Sequence, residues 1–315
     1  MIAKPDAGLR ATATGLLSAT GDTASLAGLL DDAGAVMRPL FGPSEDRVRL
    51  AASATISLSD DDRDVPAPWS FYHVDAPDER LDALAESLYA HDLVEAAYVK
   101  PPGEPPTMTE TRQRVAPVVP INDMEPLGGD TPPATPDFTT KQGYLDAAPG
   151  GIDARYAWTV AGGGGANVRV IDCEWGWRFT HEDLLQNQGG IVAGAGSSDT
   201  NHGTAVLGEI SGDRNGIGIT GIAPDAVISA SAFSVPTATA IRSAADKLRA
   251  GDIILLEIHR PGPRTPNPPQ GQLGFIAIEW WPDDFAAIRY AVNKGIIVVE
   301  AAGNGFQNLD DPIYN

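Results

Sequence analysis

The strongest constraint on the fold of this 315-residue chain is the alternation in its second half. Short apolar runs at Val168–Asp172, Val227–Phe233, Ile253–Ile258 and Ile296–Val299 alternate with stretches at helical spacing. Gly203–Ser211 reads as a helix start. Thr239–Arg249 reads as a helix closed by Gly251, and Asp284–Asn293 as a helix with Phe285, Ile288 and Val292 inward, ended at Lys294-Gly295. Near-continuous apolar strands separated by helices imply a parallel sheet covered on its faces. In such a sheet, functional groups collect at the C-terminal ends of the strands. Asp172, Glu257 and Asn304 all fall at or just after such ends.

The first hundred residues have a different texture. Leu26, Leu29 and Leu30 lie at helical spacing within Thr23–Ala35, and Trp69–Asp75 reads as a strand. Asp78 is placed to cap a helix running to His91, with Leu81, Leu84 and Leu88 on one face, and Val94–Val99 reads as a further strand. This is the pattern of a small α+β module. After it, prolines 101, 102, 105, 106, 117, 120, 126, 132, 133 and 136 interrupt any regular element and predict an extended linker open to proteolysis. The expected division is a module over 1–100, a Pro-rich linker over 101–148 and an α/β unit over 149–315.

Composition excludes some classes of function. The formal net charge is −20 and no basic cluster interrupts it, which argues against a nucleic-acid surface or an anionic membrane as partner. No apolar run reaches membrane-spanning length. The first residues, MIAKPDAGLR, lack the apolar core of a signal peptide. Cys173 is the single cysteine, which excludes an intramolecular disulfide; a small buried residue is expected there, not a nucleophile.

Three segments carry the chemistry. Asp172 ends an apolar strand, where a carboxylate needs a partner, and is suited to orient a histidine. His202 lies in Asn-His-Gly-Thr at a helix start and is suited to act as a general base if a carboxylate holds its second nitrogen. Asn304, in Glu-Ala-Ala-Gly-Asn-Gly, is suited to donate an amide hydrogen bond to an oxyanion. The plain alternatives are a turn-capping aspartate, a surface histidine and an Asn-Gly turn.

Together, and in this order, Val168–Arg178, Asn201–Leu207 and Gly295–Gly305 resemble the Asp, His and oxyanion-Asn motifs of the subtilisin-like (S8-type) serine peptidases. Gly151–Trp158, His181–Leu184 and Gly221–Ala226 resemble flanking segments of the same family, so the resemblance covers about 140 to 315. It implies a subtilisin-like parallel sheet flanked by helices, incomplete here, and endopeptidase activity on a peptide or protein substrate. Asp172, His202 and Asn304 would be its catalytic residues, with Ala301, Ala302 and Gly303 walling the primary specificity pocket. The first module would be an intramolecular propeptide, with the maturation cut in the linker. The resemblance also implies secretion and no required cofactor. Calcium is an optional ion, for which Asn308, Asp310 and Asp311 offer oxygens.

The chain departs from that pattern in three places. No serine follows a Gly-Thr pair near the C-terminus, and Ser197 and Ser198 precede His202, so the nucleophile is expected outside this chain and the chain alone is expected to be inactive. Glu257 and Glu300 stand where small residues are usual. Two carboxylates on neighbouring strand ends would share a proton or bind a cation, making the specificity region acidic or favouring activity at low pH, unless one of them faces solvent or an arginine. Cys173-Glu174-Trp175-Gly176-Trp177 replaces the usual small residues after the aspartate, with Trp175 and Trp177 expected to pack under the next loop or rim a cleft.

Two rival enzyme readings follow from the same residues. Gly162–Gly165 precede a strand, so they do not make a dinucleotide fingerprint. Asp172, Glu174, Asp183, Asp199 and His202 would be the ligands of a metal-dependent hydrolase, though none has metal-motif spacing. A non-catalytic binding module on the same scaffold is the third alternative.

Overall fold

The structure, a computed structural model, describes residues 1–53, 66–106 and 135–314. Its centre is a five-stranded, wholly parallel sheet. The strands are β7 (Arg169–Glu174), β8 (Gln188–Ala193), β9 (Val227–Ala232), β10 (Ile253–Leu256) and β13 (Ile297–Glu300), in the order β13-β10-β7-β9-β8. Helices α5 (Asn201–Ser211), α6 (Thr237–Lys247) and α7 (Pro282–Asn293) form the crossovers, and a short α4 (Ala154–Ala157) precedes β7. Between β10 and β13 the chain forms a small antiparallel ribbon, β11 (Arg260–Pro261) with β12 (Phe275–Ile276).

Strand alternation assigns the two faces. On β7, Ile171 and Cys173 enter the core shared with α6 and α7, whereas Val170 packs with Leu207 of α5 and with Ile228 and Ala230. Asp172 and Glu174 have the parity of Val170, so both carboxylates face the α5 side. The helix α7 turns differently from the expected face: Phe285 and Val292 are exposed, and Ala286, Ala287 and Ala291 are buried. Alanines allow α7 to approach α6, whose Ala244 and Ala245 lie in the same core, and Arg242 of α6 stacks 3.5 Å from the ring centroid of Tyr290. Helix-to-helix packing of small residues thus overrides the larger hydrophobes. The strand β8 has no counterpart among the expected elements, because Gly189 and Gly190 dilute its apolar pattern.

The N-terminal module is α+β, as its pattern implies. Strands β1 (Ile2–Ala3) and β6 (Val94–Ala96) pair antiparallel, as do β4 (Val36–Pro39) and β5 (Tyr72–Asp75), and β2 (Arg10–Thr12) and β3 (Gly15–Leu17) form a hairpin. Helices α1 (Ala24–Ala33) and α3 (Leu81–Tyr89) bury Leu26, Leu30, Leu84 and Leu88 over Tyr72, Leu93 and Val94, and α2 (Glu45–Ser53) lies beyond β4. Asp78 begins a 3-10 turn without capping through its side chain, and the α-helix starts at Leu81.

This module is not a bead on a string. Ile2, Leu40, Phe41, Val48 and Phe71 belong to the same buried cluster as Ile241, Ile258 and Ile278 of the α/β unit. Each such side chain buried contributes roughly 1.5–3 kcal/mol. An ionic seam lies beside it: Lys100 Nζ stands 2.6 Å from Asp283 and 2.7 Å from the fully buried Asp284, whose other oxygen faces Arg260 at 3.6 Å. The described ends of the Pro-rich segment are also docked. Phe138 and Gly218 form backbone bonds across Asp137, Gln142 bonds both ways to the backbone of Thr220, and Leu145 is buried. Residues 107–134 of the expected linker lie outside the described residues.

Burial raises the Asp284 carboxyl to about 6, against the opposing pull of Lys100. A carboxyl raised in the folded state favours folding below its unfolded value and loses that contribution as pH rises through 6. Replacing Lys100 with Ala removes the main counter-charge from a buried carboxylate. We expect a loss of about 3 kcal/mol at pH 8, from the typical cost of breaking a buried pair, and a smaller loss at pH 5, where Asp284 is protonated. Urea unfolding at the two pH values checks this.

Candidate active site at the C-terminal edge of the sheet

The sheet order places the ends of β7, β10 and β13 side by side, so the segments bearing Glu174, Glu257 and Asn304 share one edge. The register is Cys173 opposite Leu256 and Leu256 opposite Glu300, and Ala301 N–H continues it by donating to Leu256 O at 3.0 Å.

His202 is in the first turn of α5, directly over the end of β7. Its Nδ1 lies 3.0 and 3.2 Å from the two carboxylate oxygens of Glu174. Asp172 makes no hydrogen bond to His202. It is fully buried, and its Oδ2 accepts the indole N–H of Trp177 at 2.7 Å. The expected orienting residue is therefore displaced by two positions. Both carboxylates are on the α5 face, but Glu174 is one pleat nearer the strand end where His202 sits, and Trp177 folds back to claim Asp172. That tryptophan, buried as expected, also packs against α5: a Cβ on Gly203 would come within 2.6 Å of its ring, which explains the glycine after His202. Trp175 packs edge-on to Phe233, with centroids 5.2 Å apart.

The charges follow from these contacts. The hydrogen bond to Glu174 raises the His202 pKa against partial burial, and the charges of Glu174, Glu257 and Asp199 add to the rise. Desolvation, with the nearby charge of Glu174, pushes Asp172 well above the usual carboxylate range. Burial raises Glu257, opposed by His202. His202 Nε2 has no hydrogen bond to any described residue, and the side chain is part-exposed. Burial and Asp172 push the Cys173 thiol far up, leaving it an inert core residue.

Asn304 lies at the end of a tight segment. Gly303 has φ +88, and a Cβ on Gly305 would run into the backbone of Phe275. Asn304 N–H donates to His259 Nδ1 at 3.2 Å, and its Nδ2 donates to Gln272 Oε1 at 2.9 Å. Ala301, Ala302 and Gly303 connect β13 to this site, Gly303 packing on Phe275 and Ile276. Neither His259 nor Gln272 belongs to a motif recognisable in the sequence; the one available signal was a histidine two residues beyond Glu257.

Glu257 and Glu300 are on adjacent strands, as expected, but Glu300 turns away toward the turn before α7. It accepts Ile278 N–H at 2.5 Å and interacts with Glu279, and burial followed by Glu279 pushes its carboxyl up to about 9. Among the described residues, no group of three His, Cys, Asp or Glu side chains is arranged to hold a metal ion. Asp183, one of the metal-site candidates, is occupied by Asn215 and the Ile219 N–H. Of the oxygens suggested for calcium, Asp311 pairs with Arg264 and Asn308 Oδ1 accepts Asp310 N–H.

No family model matches the chain. Thermitase of Thermoactinomyces vulgaris is 30% identical over 189 residues, which cover 55% of this chain and 58% of thermitase. The chain thus spans little more than half the length of that relative. Among solved structures, fervidolysin of Fervidobacterium pennivorans, a keratinolytic enzyme related to subtilisin, is 23% identical over 53% of this chain and 26% of its own, with TM-score 0.34. An S393A mutant of the epidermin leader peptide processing serine protease of Staphylococcus aureus aligns over 92% of this chain and 61% of its own, at 16% identity and TM-score 0.44. The fold is an α/β arrangement, a parallel sheet flanked by helices, and over part of its length the chain is similar to thermitase.

Two outcomes are expected of the carboxylates. In NMR titrations of this chain, Glu174→Gln lowers the His202 midpoint, because the leading cause of its elevation is removed, whereas Asp172→Asn leaves it nearly unchanged, because Asp172 bonds Trp177 and not His202. Glu300→Gln keeps the acceptor for Ile278 N–H and removes a group that must hold a proton when folded. Folding favoured by the raised Glu300 is lost between its unfolded value and about 9, so chemical denaturation should show Glu300→Gln gaining stability over the parent as pH rises through that window, with a slope of at most about 1.4 kcal/mol per pH unit.

Proposed function

We propose that this chain carries the base, the orienting acid and the oxyanion donor of a subtilisin-like serine endopeptidase whose nucleophile is a serine outside these 315 residues. The observation that carries the reading is the Glu174–His202 pair at the end of β7, with His202 Nε2 unengaged among the described residues and Asn304 just past the end of β13, across β10 on the same sheet edge. In this reading Nε2 takes the proton of the attacking hydroxyl, Glu174 holds Nδ1–H and stabilises the imidazolium, and the Asn304 amide donates to the tetrahedral oxyanion. Asp172, anchored by Trp177, supports Glu174 from behind. Peptide or protein chains are the substrates, Ala301–Gly303 line the primary pocket, and secretion is the expected location.

The N-terminal module acts as an intramolecular propeptide in this reading. Support comes from the segment after Lys100: Glu104 and His259 exchange both backbone hydrogen bonds as an antiparallel bridge beside Glu257, the geometry of a peptide laid along the edge.

The test is made on the complete gene product, with a serine-directed phosphonate probe and a casein digest. Labelling and hydrolysis are expected. His202→Ala should abolish both, and Asn304→Ala should lower kcat by roughly 10²–10³-fold. Hydrolysis that resists the probe but yields to a chelator would replace this reading with a metal hydrolase. Absence of both signals would leave a binding module.

A further inference from the structure

Gln272 and His259 have no part in the chemistry above, yet they are built around one side chain. Residues 103–106 cross the chain just past β10, and a Cβ on Gly103 would run into Ile258, so the contact is as close as a backbone allows. Gln272 Nε2 donates to Glu104 Oε1 at 2.7 Å and to Pro105 O at 2.9 Å. His259 is fully buried. Its Nδ1 accepts the Asn304 N–H, which puts the proton of the neutral ring on Nε2. That buried Nε2–H has no hydrogen-bond partner among the described residues, and the same Glu104 oxygen lies 4.0 Å away, beyond hydrogen-bond distance. Burial lowers the His259 pKa, in keeping with a neutral donor.

The pairing also supplies a register. Glu104 is opposite His259 in antiparallel sense, so Pro106 is level with Glu257, the carboxylate whose charge is felt at His202. The position read by Gln272 is two residues before the one level with Glu257.

We propose that Gln272 and His259 form a specificity subsite for a glutamate or glutamine side chain in an extended peptide, two residues before the residue whose following bond His202 serves, and that Glu104 is its resident occupant. This rests on the peptidase reading for the word substrate, and on geometry alone for the subsite. The Gln272 amide nitrogen donates to the occupant, and the His259 Nε2–H lies beside it. A lysine there would bring a third donor to these two, and an apolar side chain would take the acceptor from the Gln272 amide.

Hydrogen exchange of the His259 amide, which donates to Glu104 O, tests the subsite on this chain without any activity. Glu104→Ala and Gln272→Ala should each speed that exchange about tenfold, the cost of one lost charged hydrogen bond, and the double variant should add little. Glu104→Gln should stay near the parent, and exchange in β7 should not change in any variant, which excludes general unfolding. Unchanged exchange in Glu104→Ala, or equal protection in Glu104→Leu, overturns the subsite. On the complete gene product, peptides with Glu three residues before the cleaved bond should be hydrolysed at least about tenfold faster than their Lys counterparts, and Gln272→Ala should erase the difference. Equal hydrolysis of the two overturns the subsite as well. Absence of peptide hydrolysis with the exchange pattern intact overturns the peptidase reading and leaves an acceptor-binding site.

Discussion

The buried end of β7 governs the site. Two carboxyls two residues apart on one face of a central strand cannot both be ionised, unpaired and dry. The molecule separates their roles. Asp172, the deeper, takes one indole N–H, and burial pushes its carboxyl well above the usual range. Glu174, nearer the edge, faces a histidine. The pair Trp177 and Gly203 makes the separation possible, because the indole occupies the space between strand and helix that a direct Asp172–His202 contact would need, and only a glycine lets α5 settle on it. A longer acid then spans the remaining distance.

That division explains what was legible in the chain. The strands, their parallel sense and the edge on which the chemistry collects follow from apolar runs of four to six residues separated by helical spacing, a local property. Which carboxylate meets His202 is not local. Strand parity puts Asp172 and Glu174 on the same face, and the choice depends on where Trp177 folds, a contact invisible to any periodicity. The face of α7 was misleading for a related reason: Phe285 and Val292 carry more apolar surface than Ala287 and Ala291, but the short distance to α6 rewards the smaller side chains. β8 was missed because two glycines remove its pattern, and its pairing with β9 is supplied by the neighbouring strand.

The Pro-rich stretch illustrates the difference between composition and context. Prolines forbid helix and interior sheet, but they suit an extended strap whose hydrogen bonds are few and at one residue. Glu104, between Gly103 and Pro105, supplies both of those backbone bonds, and Arg260 closes on Pro101 O at 2.5 Å from below. The charged seam of Lys100, Asp283 and Asp284 then fixes where the strap leaves the module. The module, the strap and the sheet edge are therefore a single packed unit in the described residues, with the shared core around Ile258 beneath them.

Gln272 gives that unit a consequence for chemistry. Its amide nitrogen is bound by two acceptors on the strap, and its oxygen receives the Asn304 amide. An amide group is rigid and planar, so fixing one end fixes the other. While Glu104 and Pro105 are in place, Gln272 is held at both ends and Asn304 Nδ2 is held with it. A glutamate or glutamine side chain filling the same position would keep that chain of amide hydrogen bonds intact, so the strap and an extended peptide would meet one and the same surface.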